Sequence, residues 1–176
     1  LKGTVYDRNG KRVEKMNSDE FYDFSAIPGY TTYQDFRGIT CKPKYQTVPF
    51  TVEYSYETDY NGIFDYPDFY LYDDFNVSTV RATLNITVPD SIGIRYFLRN
   101  LSFGCKKAKT DSVDTYSWEF RDIPSLHEEP FSPSARELTP SVLIAPHSFR
   151  IKGRWGSADT WQSFGLWIYN LNKDRD

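Results

Sequence analysis

Residues Val80–Val88 read VRATLNITV. Val80, Ala82, Leu84, Ile86 and Val88 alternate with Arg81, Thr83, Asn85 and Thr87. Successive side chains of an extended chain point to opposite faces, so this period of two predicts a strand with one apolar and one polar face. Pro89 follows, and a residue without an N–H group cannot continue a central ladder. Downstream the pattern recurs in shorter form at Ile94–Leu98 and at Tyr116–Phe120, where Tyr116, Trp118 and Phe120 share a face. The polar run Lys106–Asp114, KKAKTDSVD, reads as a hairpin loop between them. Further strands are predicted at Ser141–Ala145 and Ser148–Lys152.

Upstream, Phe50, Val52, Tyr54 and Tyr56 alternate with Thr51, Glu53, Ser55 and Glu57, which predicts another strand with one buried face. Leu1–Val13 holds two short β-type runs about DRNG, and its Asn9-Gly10 pair suits the positive φ of a tight hairpin. Asp7 and Asn9 alone do not make a calcium loop, because the remaining ligand positions are missing. Met16–Gly38 mixes acids, aromatics and a Pro28-Gly29 turn, and reads as loop with short edge strands. Many short strands separated by turn signals predict an all-β fold, an antiparallel β-sandwich.

The chain changes character at its end. Ser157 and Asp159 offer an N-cap and a first-turn acid, and Trp161, Phe164, Ile168 and Leu171 follow at helical spacing toward Lys173 and Arg175. The prediction is a β-sandwich over 1–156 and an amphipathic helix over 157–176, which either packs back on the sandwich or leads into another domain.

Composition narrows the function classes. A formal charge of −3 with both signs interspersed lacks the basic footprint of a nucleic-acid binder. No run reaches the roughly 18 apolar residues that span a bilayer as a helix. The sequence opens at Leu1 inside a predicted strand, without an initiator Met or a leader, which reads as a mature or trimmed fragment. Cys41 and Cys105 allow one disulfide or two free thiols, and spacing does not choose. Aromatic residues reach 18%, with 14 Tyr, 13 Phe and 4 Trp. Such rings fill half-buried strands or build a stacking surface, and the first use is the commoner.

The chemical motifs are sparse. HEEP, beginning at His127, resembles the start of a zinc hydrolase motif, but the position four residues on is Phe131 and Pro130 would break the helix. His147 has no carboxylate close in sequence. Neither Cys41 nor Cys105 sits at a helix N-terminus that would activate it, although a Cys–His pair formed in space stays open. Phosphate-binding loops and exposed-serine elbows are absent from the sequence. Asp65, Asp68, Asp73 and Asp74 read as solvated acids rather than a cation site. Asn76, Asn85 and Asn100 begin N-x-S/T sequons, a motif short enough to arise by chance. No cofactor is expected.

Several blocks in order resemble one family: VYDRNGKRV, YTTYQDFRG, VPFTVEYSYE, VSTVRATLNITVP, YSWEFRDIPSLHEEPFSP and LIAPHSFRIKGRWGSADTWQSFGLWIYNL. Together they are similar to the domain of unknown function DUF3857, found N-terminal to transglutaminase-like cysteine peptidase domains. The variant with APHSF resembles envelope proteins of Bacteroidetes-type bacteria. The resemblance implies an antiparallel sandwich whose first strands lie before Leu1 and whose final helix hands the chain to a papain-like core. That core, with its Cys, His and Asp, would lie past Asp176, so no catalytic residue carries over. It implies a non-catalytic accessory domain in the periplasm or cell envelope, with the downstream domain of the same chain as partner. Trp118, Glu128 and Glu129, and Trp161, Phe164, Trp167, Ile168 and Leu171 on the helix, are then structural or interdomain residues. Glu128 or Glu129 is expected to accept backbone N–H groups that no ladder satisfies. If the domain touches a peptide or glycan, the candidate contacts are Tyr66, Phe69, Tyr70 and Tyr72; otherwise those rings close the sandwich end. The alternatives are a stand-alone carbohydrate- or peptide-binding module and an enzyme in its own right.

Overall fold

The computed structural model describes residues 1–25, 37–60, 62, 64, 66–72, 74–102 and 104–173. Pro28-Gly29, Asp65, Asp73 and Arg175, named above, lie outside them. The chain divides into two compact units, Leu1–Asp59 and Tyr60–Asp176.

The first unit has five strands: β1 (Lys2–Tyr6), β2 (Arg12–Met16), β3 (Phe21–Ser25), β4 (Arg37–Cys41) and β5 (Thr51–Ser55). They form an antiparallel sheet in the order β2-β1-β5 and a separate β3-β4 pair. The β1–β2 turn forms where the sequence places it. Asp7 Oδ1 accepts the N–H groups of Asn9 at 2.8 Å and Lys11 at 3.0 Å. Gly10 supplies the positive φ of 76°. Val5 and Met16 are buried, and Gly3 makes room for Met16, since a Cβ there would lie 2.6 Å from Met16 Cε. The Phe50–Glu57 reading needs correcting on burial. Its strand exists, and Val52 is half-buried opposite fully buried Val5, but toward the strand's end Tyr54 is exposed, and Tyr56, past the last paired residue, is 74% exposed.

The second unit carries β6 (Phe69–Tyr70), β7 (Thr79–Pro89), β8 (Ile94–Arg99), β9 (Lys106–Thr110), β10 (Val113–Ile123), α1 (Ala135–Leu138), β11 (Ser141–Pro146), β12 (Ser148–Ile151), β13 (Arg154–Ser157) and α2 (Trp161–Asn172). Sheets β7-β10-β9 and β6-β11-β8 are antiparallel and pack their apolar faces together, while β12 and β13 form a separate hairpin. Asp114, Tyr116, Trp118 and Phe120 are the inward row of β10, and Trp118 is 2% exposed. From the other sheet Tyr96 meets Trp118 edge-on at 4.9 Å, and Phe69 lies over Phe120 at 6.4 Å. Val142 and Ile144 of β11 and Ile94 of β8 complete the core. Burying each such side chain stabilises the fold by about 1.5–3 kcal/mol. The sandwich predicted from alternation is the fold of this unit.

Three details depart from the sequence reading. Val80 is exposed rather than inward. Asp122, at φ 53°, breaks the alternation of β10, so Ile123 rather than Asp122 turns inward, opposite half-buried Thr79, and Val80 faces out. The KKAKTDSVD run is a strand and turn, not a loop: β9 pairs with β10 through Ser117↔Lys106 to Val113↔Thr110. All of β9 is exposed, so no apolar alternation marked it. Its lysines keep the edge from pairing further, and two of them bind Asp114 and Asp90 at 3.0 Å. The helix starts three residues later than its predicted cap. Thr160 is the N-cap, its Oγ1 accepting the Ser163 N–H at 3.0 Å while Ser163 Oγ accepts the Thr160 N–H at 3.2 Å.

Candidate functional site

The helix reaches the sandwich through a ring cluster. Phe149 of β12, fully buried, receives Trp167 edge-on at 4.8 Å, Phe64 edge-on at 5.0 Å and Phe164 at 6.1 Å. Gly156 of β13 permits this closeness: a Cβ there would lie 2.5 Å from Phe149 Cζ and 2.8 Å from Trp167 Cδ1. The inward face of α2 is therefore Phe164 and Trp167. Ile168 is exposed and Trp161 is 87% exposed, so the predicted stripe is buried only in part.

Beside this cluster lies a cleft of about 430 Å³. Its walls are Phe64, Pro146, Phe149, Phe164 and Trp161 with Ala145 and Ala158, and its polar groups are Arg95, Asp159 and Thr160. A mostly apolar concavity of roughly 300–1,000 Å³ with a few convergent polar groups is the usual form of a ligand site. Arg95 stands on β8 opposite Ala145, and Thr160 and Trp161 begin α2.

The polar side of the cleft is a short network. His147 Nδ1 donates to Asp159 Oδ1 at 2.5 Å, and Ser157 Oγ donates to Asp159 Oδ2 at 2.9 Å. The His147 hydrogen bond, then that of Ser157, then the nearby charges of His147 and Arg95, hold the Asp159 carboxyl below its ordinary 3.8. A hydrolytic triad needs the nucleophile on the far nitrogen of the imidazole. Here Ser157 bonds to the carboxylate, so the network orients groups and supplies no activated hydroxyl.

His147 thus has a carboxylate partner that sequence proximity did not show. The β12–β13 hairpin brings it there: Ser148 pairs with Ser157, and Ala158 N donates to His147 O at 3.0 Å. Lys152 at φ 46° and Gly153 at φ 83° make the two-residue turn. That Lys-Gly pair between β-type runs was the signal for the hairpin. Arg95, Phe64 and Phe149 had no comparable mark in the sequence.

The other candidates lie elsewhere. Tyr72 is 5% exposed, and Tyr66 and Phe69 pack against the sandwich core. Burial raises the phenol pKa of Tyr66 and Tyr72. Tyr70 donates to Asp68 at 3.4 Å and accepts from Arg136 Nε at 3.1 Å, with the guanidinium also over its ring. These rings do not form a bare coplanar platform. Trp118 is core, and Leu171 is half-buried. Among the described residues no backbone N–H reaches the carboxylates of Glu128 or Glu129, and both residues are exposed. The segment is anchored just before them. Asn76 N donates to Leu126 O at 2.7 Å, and His127 Nδ1 lies 2.7 Å from Asn76 Oδ1.

Cys41 and Cys105 are both free, in different units. Cys41 bonds to the Tyr54 hydroxyl at 3.4 Å, and the Cys105 thiol to Lys106 O at 3.7 Å. Among the described residues no group of three metal-ligating side chains converges. Among the described residues no helix is long and apolar enough to cross a membrane.

Comparison with known proteins places this geometry. No curated protein matches the chain in sequence. A solved structure from Parabacteroides distasonis, described as a "putative protease", shares the fold with a TM-score of 0.61 at 16% identity. The match covers 82% of this chain and 29% of that one, so this chain spans under a third of the length of its structural neighbour. Residues 1–127 match the family described as Domain of Unknown Function with solved-structure structure, the same family that the sequence blocks resemble. The strands β1 to β10 and their turns fall within that match, and the chain belongs to the DUF3857 family.

Proposed function

We propose that this chain is a non-catalytic accessory domain of a larger, transglutaminase-like cysteine peptidase-type protein of the periplasm or cell envelope, which it supports or to which it presents substrate. The observation that carries the reading is proportion: most of this fold corresponds to a minor part of a longer chain described as a protease. The other support is the resemblance of the closing APHSF to NLN segment to proteins in which such a domain precedes a peptidase core. The downstream domain of the same chain is the partner. In this reading the exposed Trp161, Ile168 and Tyr169 of α2 are available to that domain.

The test compares the native protein with a version lacking residues 1–173 on a peptide substrate. The expected result is a raised KM or lost stability of the remaining protein, with no hydrolysis by residues 1–173 alone. Hydrolysis by the isolated piece, or a truncated protein with unchanged KM, kcat and stability, would sink the proposal. The second reading, a stand-alone peptide- or carbohydrate-binding module, draws on the ring-lined cleft. It predicts binding by a native protein that has no peptidase domain.

A further inference from the structure

The cleft beside Phe149 has one polar group that the fold does not use. Both carboxylate oxygens of Asp159 are occupied, by His147 and by Ser157. The Thr160 side chain is committed to capping α2. Arg95 is exposed and forms no ion pair or hydrogen bond among the described residues, although its charge reaches Asp159. A guanidinium at the edge of an apolar cavity fits an anion attached to an apolar group, and its fork matches a carboxylate best. The first turn of α2 opens on the same cleft, and its positive end adds to that preference.

The cleft also continues. Arg95 and Ala145 are shared with a shallower hollow of about 210 Å³ on the outer face of β8 and β11, which includes Phe97 and Leu143. The guanidinium therefore stands between two apolar depressions. Successive side chains of an extended peptide point to opposite sides. A terminal residue and the one before it can each enter one depression while the chain-end carboxylate meets the cation.

We propose that Arg95 and the cleft form a binding site for the C-terminal end of an apolar peptide, with the α-carboxylate on the guanidinium, the terminal side chain between Phe64 and Trp161, and the preceding one toward Phe97. This deepens the accessory reading by giving the domain a ligand class, the newly cut ends of apolar peptides, and rests on it for biological meaning only. Binding is read on this chain alone, so failure of the peptidase partner and failure of the site are separable.

The experiment is calorimetric titration of the 176-residue chain with N-acetyl-leucyl-phenylalanine, with the same peptide as its amide, and with octanoate. The acid is expected to bind, with the amide about tenfold or more weaker, the usual loss when a hydrogen bond to a charged group is removed. Arg95→Met should erase the difference between acid and amide, and Arg95→Lys should keep part of it. Phe164→Ala should weaken both peptides. Equal binding of acid and amide to the unsubstituted chain, no binding of either, or tighter binding of octanoate than of the peptide acid would overturn the proposal. The acid–amide comparison needs no variant, so it stands even if a substituted chain misfolds.

Discussion

The units Leu1–Asp59 and Tyr60–Asp176 are built by the same antiparallel rule and arrive at different interiors. In the second, two sheets face one another, and an inward row such as Tyr116, Trp118 and Phe120 meets a matching row from the other sheet. In the first, a three-stranded sheet buries Val5 and Met16, while Tyr54 on β5 and Tyr56 just past it, Tyr22 and Phe24 on β3, and Ile39 on β4 remain exposed. Both units are rich in aromatic residues. What separates them, among the described residues, is how much of the apolar face ends up enclosed, and alternation along one strand carries no information about that.

The widest gap should appear at the sandwich core. Trp118→Ala is expected to cost about 3–5 kcal/mol, the range for removing a large buried aromatic ring, read from urea unfolding followed by circular dichroism. Met16→Ala should cost less, about 2 kcal/mol, because a smaller side chain is removed. Its loss should speed hydrogen exchange in β1 and β2 and leave β10 protected. Equal loosening of β10 would mean that the units do not differ in the way their cores suggest. Thr160→Ala removes the helix cap and should cost about 1 kcal/mol, seen as faster exchange in the first turn of α2 alone.

The smallest effects are titrations, one in each unit. The hydrogen bond with Cys41, then partial burial and the charge of Cys41, push the Tyr54 phenol up from 10.0 to about 12. A raised folded value means that its contribution is complete below pH 10.0 and is lost as pH rises through about 12. Ultraviolet titration should show Tyr54 among the late tyrosines, and Cys41→Ala should move it back toward 10.0. Asp159 behaves oppositely: its carboxyl is depressed, so its contribution is present above pH 3.8 and lost as pH falls through its lower folded value. His147→Ala should weaken that acid dependence in the second unit and leave Tyr54 unchanged.

The same contrast explains how much could be read from sequence. The strands at Val80–Val88 and Tyr116–Phe120 were legible because one face is apolar and the other polar, and the opposed sheet rewards that pattern. β9 was illegible because both of its faces meet water, and the exposure of Tyr54 and Tyr56 because where a neighbouring element stops covering a strand leaves no trace in its alternation. The β-sandwich and the closing helix followed from local periodicity. The cleft did not. Arg95, Phe149 and Asp159 are distant in sequence, and they meet only through the pairing of β8 with β11 and of β12 with β13. Even the helix cap was misplaced, since Ser157 and Asp159 have the right chemistry for capping but are engaged with His147 through Asp159.

We propose above that this fold serves a larger peptidase-type protein. The most direct test of that proposal is the intact mass of the native protein with peptide sequencing past Asp176. The expected result is a chain longer by at least one domain that carries a Cys, a His and an Asp in that order. A native chain ending near Asp176 would contradict it and leave the cleft at Arg95 as the protein's own binding site.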